Sequence, residues 1–229
     1  MKNNDAYYFE NLGDNFDRFM SAYDVERRIR LIFDHLLGSV PLPDNPAVLE
    51  IGCGTGKISQ KLRQLTGNLT VNDISPKLTA DVARRMQCSG LAGDCARLPA
   101  GEGTFDLIVS SECIEHTPQP YAALAEMRRV LKKEGWLIIT TPNKLWYPVL
   151  WTAQRLKIRK FSGLETWTWP GTTQKWLKKA GFENIRVSGC HLFPWQIPLA
   201  KQVLPFFDRY GDTLFPVMIN YGIRAQKKK

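Results

Sequence analysis

The chain has 229 residues, of which 44% are hydrophobic and 23% are charged, and its formal net charge is +9. This length and composition suit one globular domain with a buried core. No apolar run approaches the ~18 residues of a membrane-spanning helix, and the polar N-terminus lacks the apolar stretch of a secretory signal, so we expect a cytoplasmic protein. Five scattered cysteines without a CxxC pair argue against a disulfide framework or a structural zinc site.

Apolar runs of strand length alternate with helical patterns along most of the chain. We predict strands at residues 47–51, 69–73, 91–94, 105–110, 136–141, 185–191 and 217–224, and helices at residues 24–37, 55–66, 76–88, 121–131 and about 172–180. This rhythm predicts an α/β fold in which helices cover both faces of a parallel sheet. We predict one domain over residues 1–229, with an N-terminal helical cap at 1–44, a core at 45–142, and irregular, aromatic-rich insertions at 142–172 and 192–216.

A glycine-rich turn follows the first predicted strand, in the segment Glu50-Ile51-Gly52-Cys53-Gly54-Thr55-Gly56. Glycines at a strand-to-helix turn let the backbone adopt positive φ and approach a ligand closely. The spacing is GxGxG, and Glu50 stands two residues before the first glycine. A carboxylate so near the helix N-terminus disfavours a pyrophosphate, since both groups are anionic, and favours a ligand that carries an ammonium or sulfonium group.

Two further carboxylates end the next two predicted strands. Asp73 follows the second strand, where folds of this kind place an acceptor for both hydroxyls of a ribose, and Asp94 follows the third, where a carboxylate can accept from an adenine amino group. Either residue alone could be a helix cap or a loop residue. Three acids at three successive strand ends beside a glycine turn indicate a nucleoside site instead.

The motifs at residues 50–56, 73, 93–94, 104–108 and 129–135 resemble those of class I S-adenosylmethionine-dependent methyltransferases, in particular the ubiquinone-biosynthesis-like group, over about residues 45–142. The resemblance implies a Rossmann-like, seven-stranded, mostly parallel sheet whose last strand is antiparallel. It also implies S-adenosylmethionine as cofactor. The cofactor-binding residues that follow are Glu50, Gly52, Cys53, Gly54, Gly56, Asp73, Ile74, Asp94, Cys95 and Ser111. The family's usual KPGG turn is Lys133-Glu134-Gly135 here, on the side away from the cofactor.

The segment after the fourth predicted strand reads Glu112-Cys113-Ile114-Glu115-His116, an ExxEH pattern. In the resembling group such a Glu-His pair often shapes the acceptor pocket, and we predict His116 and Glu115 as catalytic residues, with His116 as a candidate general base. We predict no metal site. The alternative is a divalent ion held by Glu112, Glu115 and His116, as in related quinone and small-RNA methyltransferases, with Glu165 in place of their further histidine. His191 is a weaker catalytic candidate.

The insertions leave the carboxyl ends of predicted strands, where ligands of α/β proteins bind, and their aromatic residues suit an apolar acceptor. We therefore predict methyl transfer to a small molecule, to a hydroxyl oxygen of an apolar, phenolic or lipid-linked compound. The net charge and the ExxEH pattern leave an RNA 2′-O-methyltransferase as an alternative, and a cofactor-binding protein without transfer activity is another. We expect no DNA partner, and peripheral contact with a membrane stays open.

Overall fold

The computed structural model describes residues 21–155 and 164–229, so residues 1–20 of the predicted N-terminal helical cap lie outside the described residues. The described residues form one seven-stranded sheet of order β3-β2-β1-β4-β5-β7-β6. The first five strands run parallel, and β7 is antiparallel to both β5 and β6. The strands are β1 (Val48–Ile51), β2 (Leu69–Asp73), β3 (Ser89–Ala92), β4 (Phe105–Ser111), β5 (Leu131–Pro142), β6 (Phe182–Cys190) and β7 (Asn220–Lys227). This topology confirms the predicted Rossmann-like fold.

Helices cover both faces of this sheet because its strands are apolar on both sides. Along β1, Val48 packs on one face with the N-terminal helices and Leu49 packs on the other. The first face carries α1 (Ala22–Arg30) with its π-helical continuation Leu31–Leu37, α2 (Lys57–Leu65) and α3 (Pro76–Met86); the second carries α4 (Pro120–Val130) and α6 (Pro170–Lys179). The sheet is thereby buried between two helical layers.

Most predicted elements form within a few residues of their expected bounds, and the differences have local causes. The third strand ends at Ala92, so Asp94 lies in the following turn and not at the strand end. Helix α6 begins at Pro170 and not at residue 172, because proline at the first helical position lacks only an N–H that would have no intrahelical acceptor. Strand β5 begins at Leu131 and not at residue 136. Residues 132–135 form an irregularity in its pairing with β4, because Leu131 pairs with Phe105 and Trp136 pairs with Leu107.

The insertions are helical where the proline content predicted irregular structure. The first contains a 3-10 turn, Lys144–Trp146, and α5 (Tyr147–Arg155); the second contains α7 (Ala200–Asp208) and the short α8 (Gly211–Leu214). Pro205 lies inside α7 and cannot donate to the carbonyl of Lys201, and the Tyr23 hydroxyl donates to that oxygen at 3.3 Å. A tertiary hydrogen bond thus compensates for the lost helical one. Residues 156–163 of the first insertion are outside the described residues.

Candidate functional site

The carboxyl ends of β1, β2 and β4 and the turn after β3 surround one cavity. Nine of the ten predicted cofactor residues line it: Glu50, Gly52, Cys53, Gly54, Asp73, Ile74, Asp94, Cys95 and Ser111. Glu112 and His116, from the segment after β4, line the same cavity, as do Val25 and Arg28 of α1. Residues that are distant in sequence thus converge because parallel strands end at one edge of the sheet.

The glycine-rich turn is shaped by its backbone. Gly52, Gly54 and Gly56 have φ of 73°, 49° and 85°, in the region that favours glycine. The backbone N–H groups of Gly52 and Cys53 both donate to the carbonyl of Asn72 at 2.9 Å, which fixes the turn to the end of β2. Gly56, the tenth predicted residue, is not among the cavity-lining residues; it stands before α2 and faces Val82.

Asp73 connects the glycine turn to the start of α3. Its carboxylate accepts from the backbone N–H of Gly54 at 2.9 Å and from that of Ser75 at 3.0 Å. The residue is only 7% exposed, and burial raises the pKa of its carboxyl despite these hydrogen bonds. The position and hydrogen bonding hold a carboxylate rigidly in the cavity wall, as an acceptor of ribose hydroxyls requires.

The other predicted cofactor acids have different surroundings. Glu50 is fully buried and accepts from the Ser59 hydroxyl, and burial raises its pKa to about 8. Asp94 lines the cavity and also accepts from the N–H of Ala96 at 2.8 Å, so it closes a turn as well. Asn72, which the sequence did not single out, donates from its amide to the carbonyls of Leu91 and Gly93 and thereby positions the turn that carries Asp94.

Glu112 is the strained residue of the cavity. Its φ is 51°, unusual for a side chain with a Cβ. One carboxylate oxygen accepts from the Asn220 amide at 2.9 Å, whereas the other is buried without a hydrogen-bond partner among the described residues. Burial, followed by the neighbouring Glu115, raises its pKa to about 8.

The side chains of Glu115 and His116 differ in whether they face the cavity. His116 lines the cavity, and its Nδ1 lies 2.8 Å from the carbonyl oxygen of Leu164. Because a carbonyl only accepts, Nδ1 carries the proton, and Nε2 is the ring nitrogen able to accept one. Glu115 is not among the lining residues; it is 2% exposed and accepts from the Thr141 hydroxyl at 3.1 Å. Burial raises the pKa of Glu115 to about 8.

The ExxEH side chains have separate partners. Glu112 contacts Asn220, Glu115 contacts Thr141, and Glu115 Oε1 lies 4.0 Å from the His116 Nε2. Glu165 is close enough for its charge to raise the pKa of Glu115. Across residues 21–155 and 164–229, no group of three His, Cys, Asp or Glu residues is arranged to hold an ion. The mechanism below therefore uses no metal.

Helix α1 contributes a buried polar network that the sequence analysis missed. Arg28 reaches the cavity wall, donates to Asp24 at 2.9 Å and lies 3.4 Å from the Ser111 hydroxyl. His191 is fully buried, does not line the cavity, and places its Nε2 3.1 Å from Asp24. We infer that His191 positions Asp24 and Arg28. The sequence signal was weak: two adjacent arginines, Arg27 and Arg28, within the predicted N-terminal helix.

Proton binding to the buried carboxyl of Glu50 predicts that the stability of the fold depends on pH. The pKa of Glu50 rises from 4.5 to about 8 on folding, so the folded chain binds the proton more tightly than the unfolded chain. Its contribution to the unfolding free energy is full below pH 4.5 and is lost as the pH rises through about 8. Between pH 4.5 and about 8, the unfolding free energy of the parent should fall more steeply with pH than that of Glu50→Gln. We expect the two slopes to differ by up to about 1.4 kcal/mol per pH unit, measured by denaturant unfolding without cofactor. The exposed Glu102→Gln is the matched control, and an unchanged slope in Glu50→Gln would contradict the assignment.

The chain matches the protein family described as "Methyltransferase domain" over residues 49–139. A ubiquinone biosynthesis O-methyltransferase of Xanthomonas axonopodis pv. citri is 27% identical over 67% of this chain and 70% of that protein. A malonyl-[acyl-carrier protein] O-methyltransferase of Serratia marcescens is 30% identical, and here the match spans 60% of this chain and only 55% of the relative. The matched family region contains the glycine turn, Asp73, Asp94 and the ExxEH segment.

A solved structure shows the same fold over nearly the whole chain. The S-adenosylmethionine-dependent methyltransferase of Thermotoga maritima, described as a possible histamine N-methyltransferase, superposes with a TM-score of 0.70 at 20% identity, covering 98% of this chain and all of that one. No helix in the two described stretches, 21–155 and 164–229, is long and apolar enough to cross a membrane.

Proposed function

We propose that this chain, an S-adenosylmethionine-dependent methyltransferase, methylates a hydroxyl oxygen of an apolar small molecule that is phenolic or lipid-linked. The observation that carries the proposal is a single cavity that joins Asp73 and the glycine turn to His116 and Glu112. S-adenosylmethionine and the methyl acceptor would both bind in this cavity. The O-methyltransferase activity named for the two sequence relatives supports oxygen as the methylated atom.

S-adenosylmethionine supplies an activated methyl group whose sulfonium is a good leaving group. We propose that Asp73 and Asp94 bind its nucleoside and that the turn Gly52–Gly54 binds its amino-acid part, with Glu50, Ile74, Cys95 and Ser111 completing the wall. Gly56 supports the turn from behind. The remaining task of the protein is to align the acceptor oxygen with the methyl group and to exclude water.

A hydroxyl acceptor must lose a proton as its oxygen attacks, and we propose His116 Nε2 as the general base. The hydrogen bond between Nδ1 and the Leu164 carbonyl orients the ring and fixes the required tautomer. Glu115 lies behind the wall, and we propose that it positions the 3-10 turn Ile114–His116 rather than touching the acceptor. Arg28 and Glu112 are the polar groups that would contact the acceptor's substituents.

We expect His116→Ala to lower kcat by about 10²- to 10⁴-fold, the usual contribution of a general base, while the Kd for S-adenosylmethionine stays unchanged. Steady-state kinetics and calorimetry measure the two quantities, and the exposed His35→Ala is the matched control. An unchanged kcat in His116→Ala would exclude this histidine as the base. A loss of cofactor binding would instead give it a structural role.

Glu115→Gln separates a positioning role from a metal ligand. Because burial raises the pKa of Glu115 to about 8, its carboxyl is mostly protonated at pH 7, and glutamine resembles that form. We expect Glu115→Gln to keep most of the activity and EDTA to have no effect. A severe loss in both experiments would establish a metal-dependent enzyme.

The acceptor class is tested by the release of S-adenosylhomocysteine in the presence of simple phenols, catechols, isoprenoid alcohols or purified RNA. We expect turnover with at least one of the first three and none with RNA. The basic pair Lys228–Lys229 follows β7 at the amino edge of the parallel strands, opposite the cavity, and therefore does not contribute to RNA binding at the site. Turnover with RNA alone would overturn the proposal.

A further inference from the structure

Large apolar side chains are exposed almost entirely on the two insertions. Of the thirteen exposed large hydrophobic residues in the described part of the chain, twelve lie between residues 145 and 217, and Leu65 is the exception. Scattered exposed apolar residues are normal on a protein surface, but such a concentration marks an interaction surface. Both insertions follow the carboxyl ends of β5 and β6, which run parallel to β4, so this surface lies at the same edge of the sheet as the cavity.

Helix α7 presents the most regular part of this surface. Val203 and Phe206 are three residues apart and lie on one side of α7, whereas Leu199 immediately precedes the helix and Tyr210 follows its C-terminal end. The exposed fractions of Leu199, Val203, Phe206 and Tyr210 are 70%, 43%, 53% and 51%. Within the helix, Ala200, Leu204 and Asp208 are buried against the domain. We call Leu199, Val203, Phe206 and Tyr210 the α7 stripe; it comprises the exposed apolar residues of α7 and of the residues that flank its two ends.

The backbone before α7 holds the first residue of the stripe outward. Leu199 has φ of 66°, a conformation that side chains with a Cβ adopt at a cost, and it is also the most exposed of the large apolar residues described. Strain that exposes a leucine to water has no benefit for the isolated fold. It is consistent with a side chain that becomes buried when a partner is present.

The exposed charges within residues 192–210 are cationic. Lys201 and Arg209 are exposed, and the sole acid of this range, Asp208, is 5% exposed and paired with Arg27 at 2.6 Å. The next acid, Asp212, pairs with Arg186 at 2.6 Å. In the other insertion, Lys144 and Arg155 are accompanied by one acid, Glu165, which lies near the buried Glu115. An apolar stripe with cationic flanks is complementary to an anionic lipid surface, where apolar side chains enter the acyl boundary and cations contact headgroups.

We propose that the α7 stripe docks this enzyme onto the surface of an anionic lipid bilayer, with α7 lying in the plane of the interface. The orientation follows from the contacts of α7. The Tyr23 hydroxyl donates to the Lys201 carbonyl, and the Arg27–Asp208 pair joins α7 to α1, whose Val25 and Arg28 line the cavity. Docking would therefore place the cavity close to the bilayer, where an apolar acceptor is concentrated.

The test is co-flotation of the purified protein with vesicles of phosphatidylcholine alone or mixed with phosphatidylglycerol, in the absence of any acceptor. We expect binding to the mixed vesicles that weakens with salt. Leu199→Ser and Phe206→Ser should each weaken binding by about tenfold or more, since each removes an apolar group that docking transfers from water into the bilayer. Leu65→Ser, at the exposed apolar residue on α2, is the matched control and should bind as the parent does.

The contribution of charge to vesicle binding is tested with the double variant Lys201→Glu/Arg209→Glu. The control is Lys228→Glu/Lys229→Glu, a double variant that changes the net charge by the same amount at the opposite edge of the sheet. We expect only the first pair to lose binding. The proposal is overturned if the parent protein does not bind mixed vesicles at low salt, or if Leu199→Ser/Phe206→Ser binds as well as the parent. Self-association that depends on Phe206 in sedimentation experiments would identify a protein contact instead. Because no acceptor is used, these outcomes are independent of the proposed methyl transfer.

Discussion

Replacing Asp73 with alanine should strongly weaken the binding of S-adenosylmethionine. The carboxylate is held in the cavity wall by the N–H groups of Gly54 and Ser75 at 2.9 and 3.0 Å, and we propose that it accepts the ribose hydroxyls. A hydrogen bond to a charged acceptor contributes on the order of 1.5–3 kcal/mol, which corresponds to a loss of roughly 10- to 150-fold in affinity. Isothermal titration with S-adenosylhomocysteine measures it without turnover.

The controls separate the lost ligand contact from a disturbed loop. Asp44→Ala changes an exposed aspartate before β1 and should bind the cofactor normally. Asp73→Asn keeps one oxygen that can accept from Gly54 or Ser75, so it should preserve the fold better than alanine and still bind weakly. Cofactor affinity equal to that of the parent in Asp73→Ala would show that the ribose lies elsewhere.

Replacing Gly52 with alanine should be the most damaging single-methyl change in the cofactor site. Gly52 has φ of 73°, and an added Cβ would lie 2.7 Å from both the Cβ and the Sγ of Cys113. We expect the variant to lose cofactor binding and to lose roughly 1–3 kcal/mol of unfolding free energy to overpacking, in addition to the cost of positive φ. Denaturant unfolding and calorimetry measure both effects.

Gly103 provides the matched control because its φ is 64° and an added Cβ meets nothing within 4 Å. Gly103→Ala therefore carries the conformational cost without the collision. In Gly52→Ala/Cys113→Gly both colliding atoms are absent, and the nearest remaining atom, the Cα of residue 113, is 3.9 Å away. We expect this double variant to recover stability. Equal stability of Gly52→Ala and Gly103→Ala would refute the close packing of the turn on the segment after β4.

The fold was predictable because its signals are local and repeat. Each apolar run at residues 47–51, 69–73 and 105–110 lies between helical patterns, and that alternation determines a parallel sheet with two helical layers. The glycine turn and Asp73 were predictable for the same reason, since strand ends of a parallel sheet meet at one edge. Nine of the ten predicted cofactor residues consequently line one cavity.

The remaining features depend on contacts that a single segment does not encode. Glu115 points away from the cavity whereas His116 lines it, because both lie in a 3-10 turn and the Thr141 hydroxyl of β5 donates to Glu115. Arg28 reaches the cavity because α1 packs across the sheet, and Asp24 and His191 fix its position. Helix α7 forms despite Pro205 because Tyr23 satisfies the orphaned carbonyl of Lys201. These are tertiary interactions between residues far apart in the chain.

Methyl transfer to an apolar small molecule is the reaction that we propose for this chain. The most direct measurement incubates the purified protein with methyl-tritiated S-adenosylmethionine and a cell extract, then separates organic-soluble, polar small-molecule and RNA fractions, with Asp73→Ala as the blank. We expect label in the organic-soluble fraction that is absent from the blank. Enzyme-dependent label found only in RNA would contradict it.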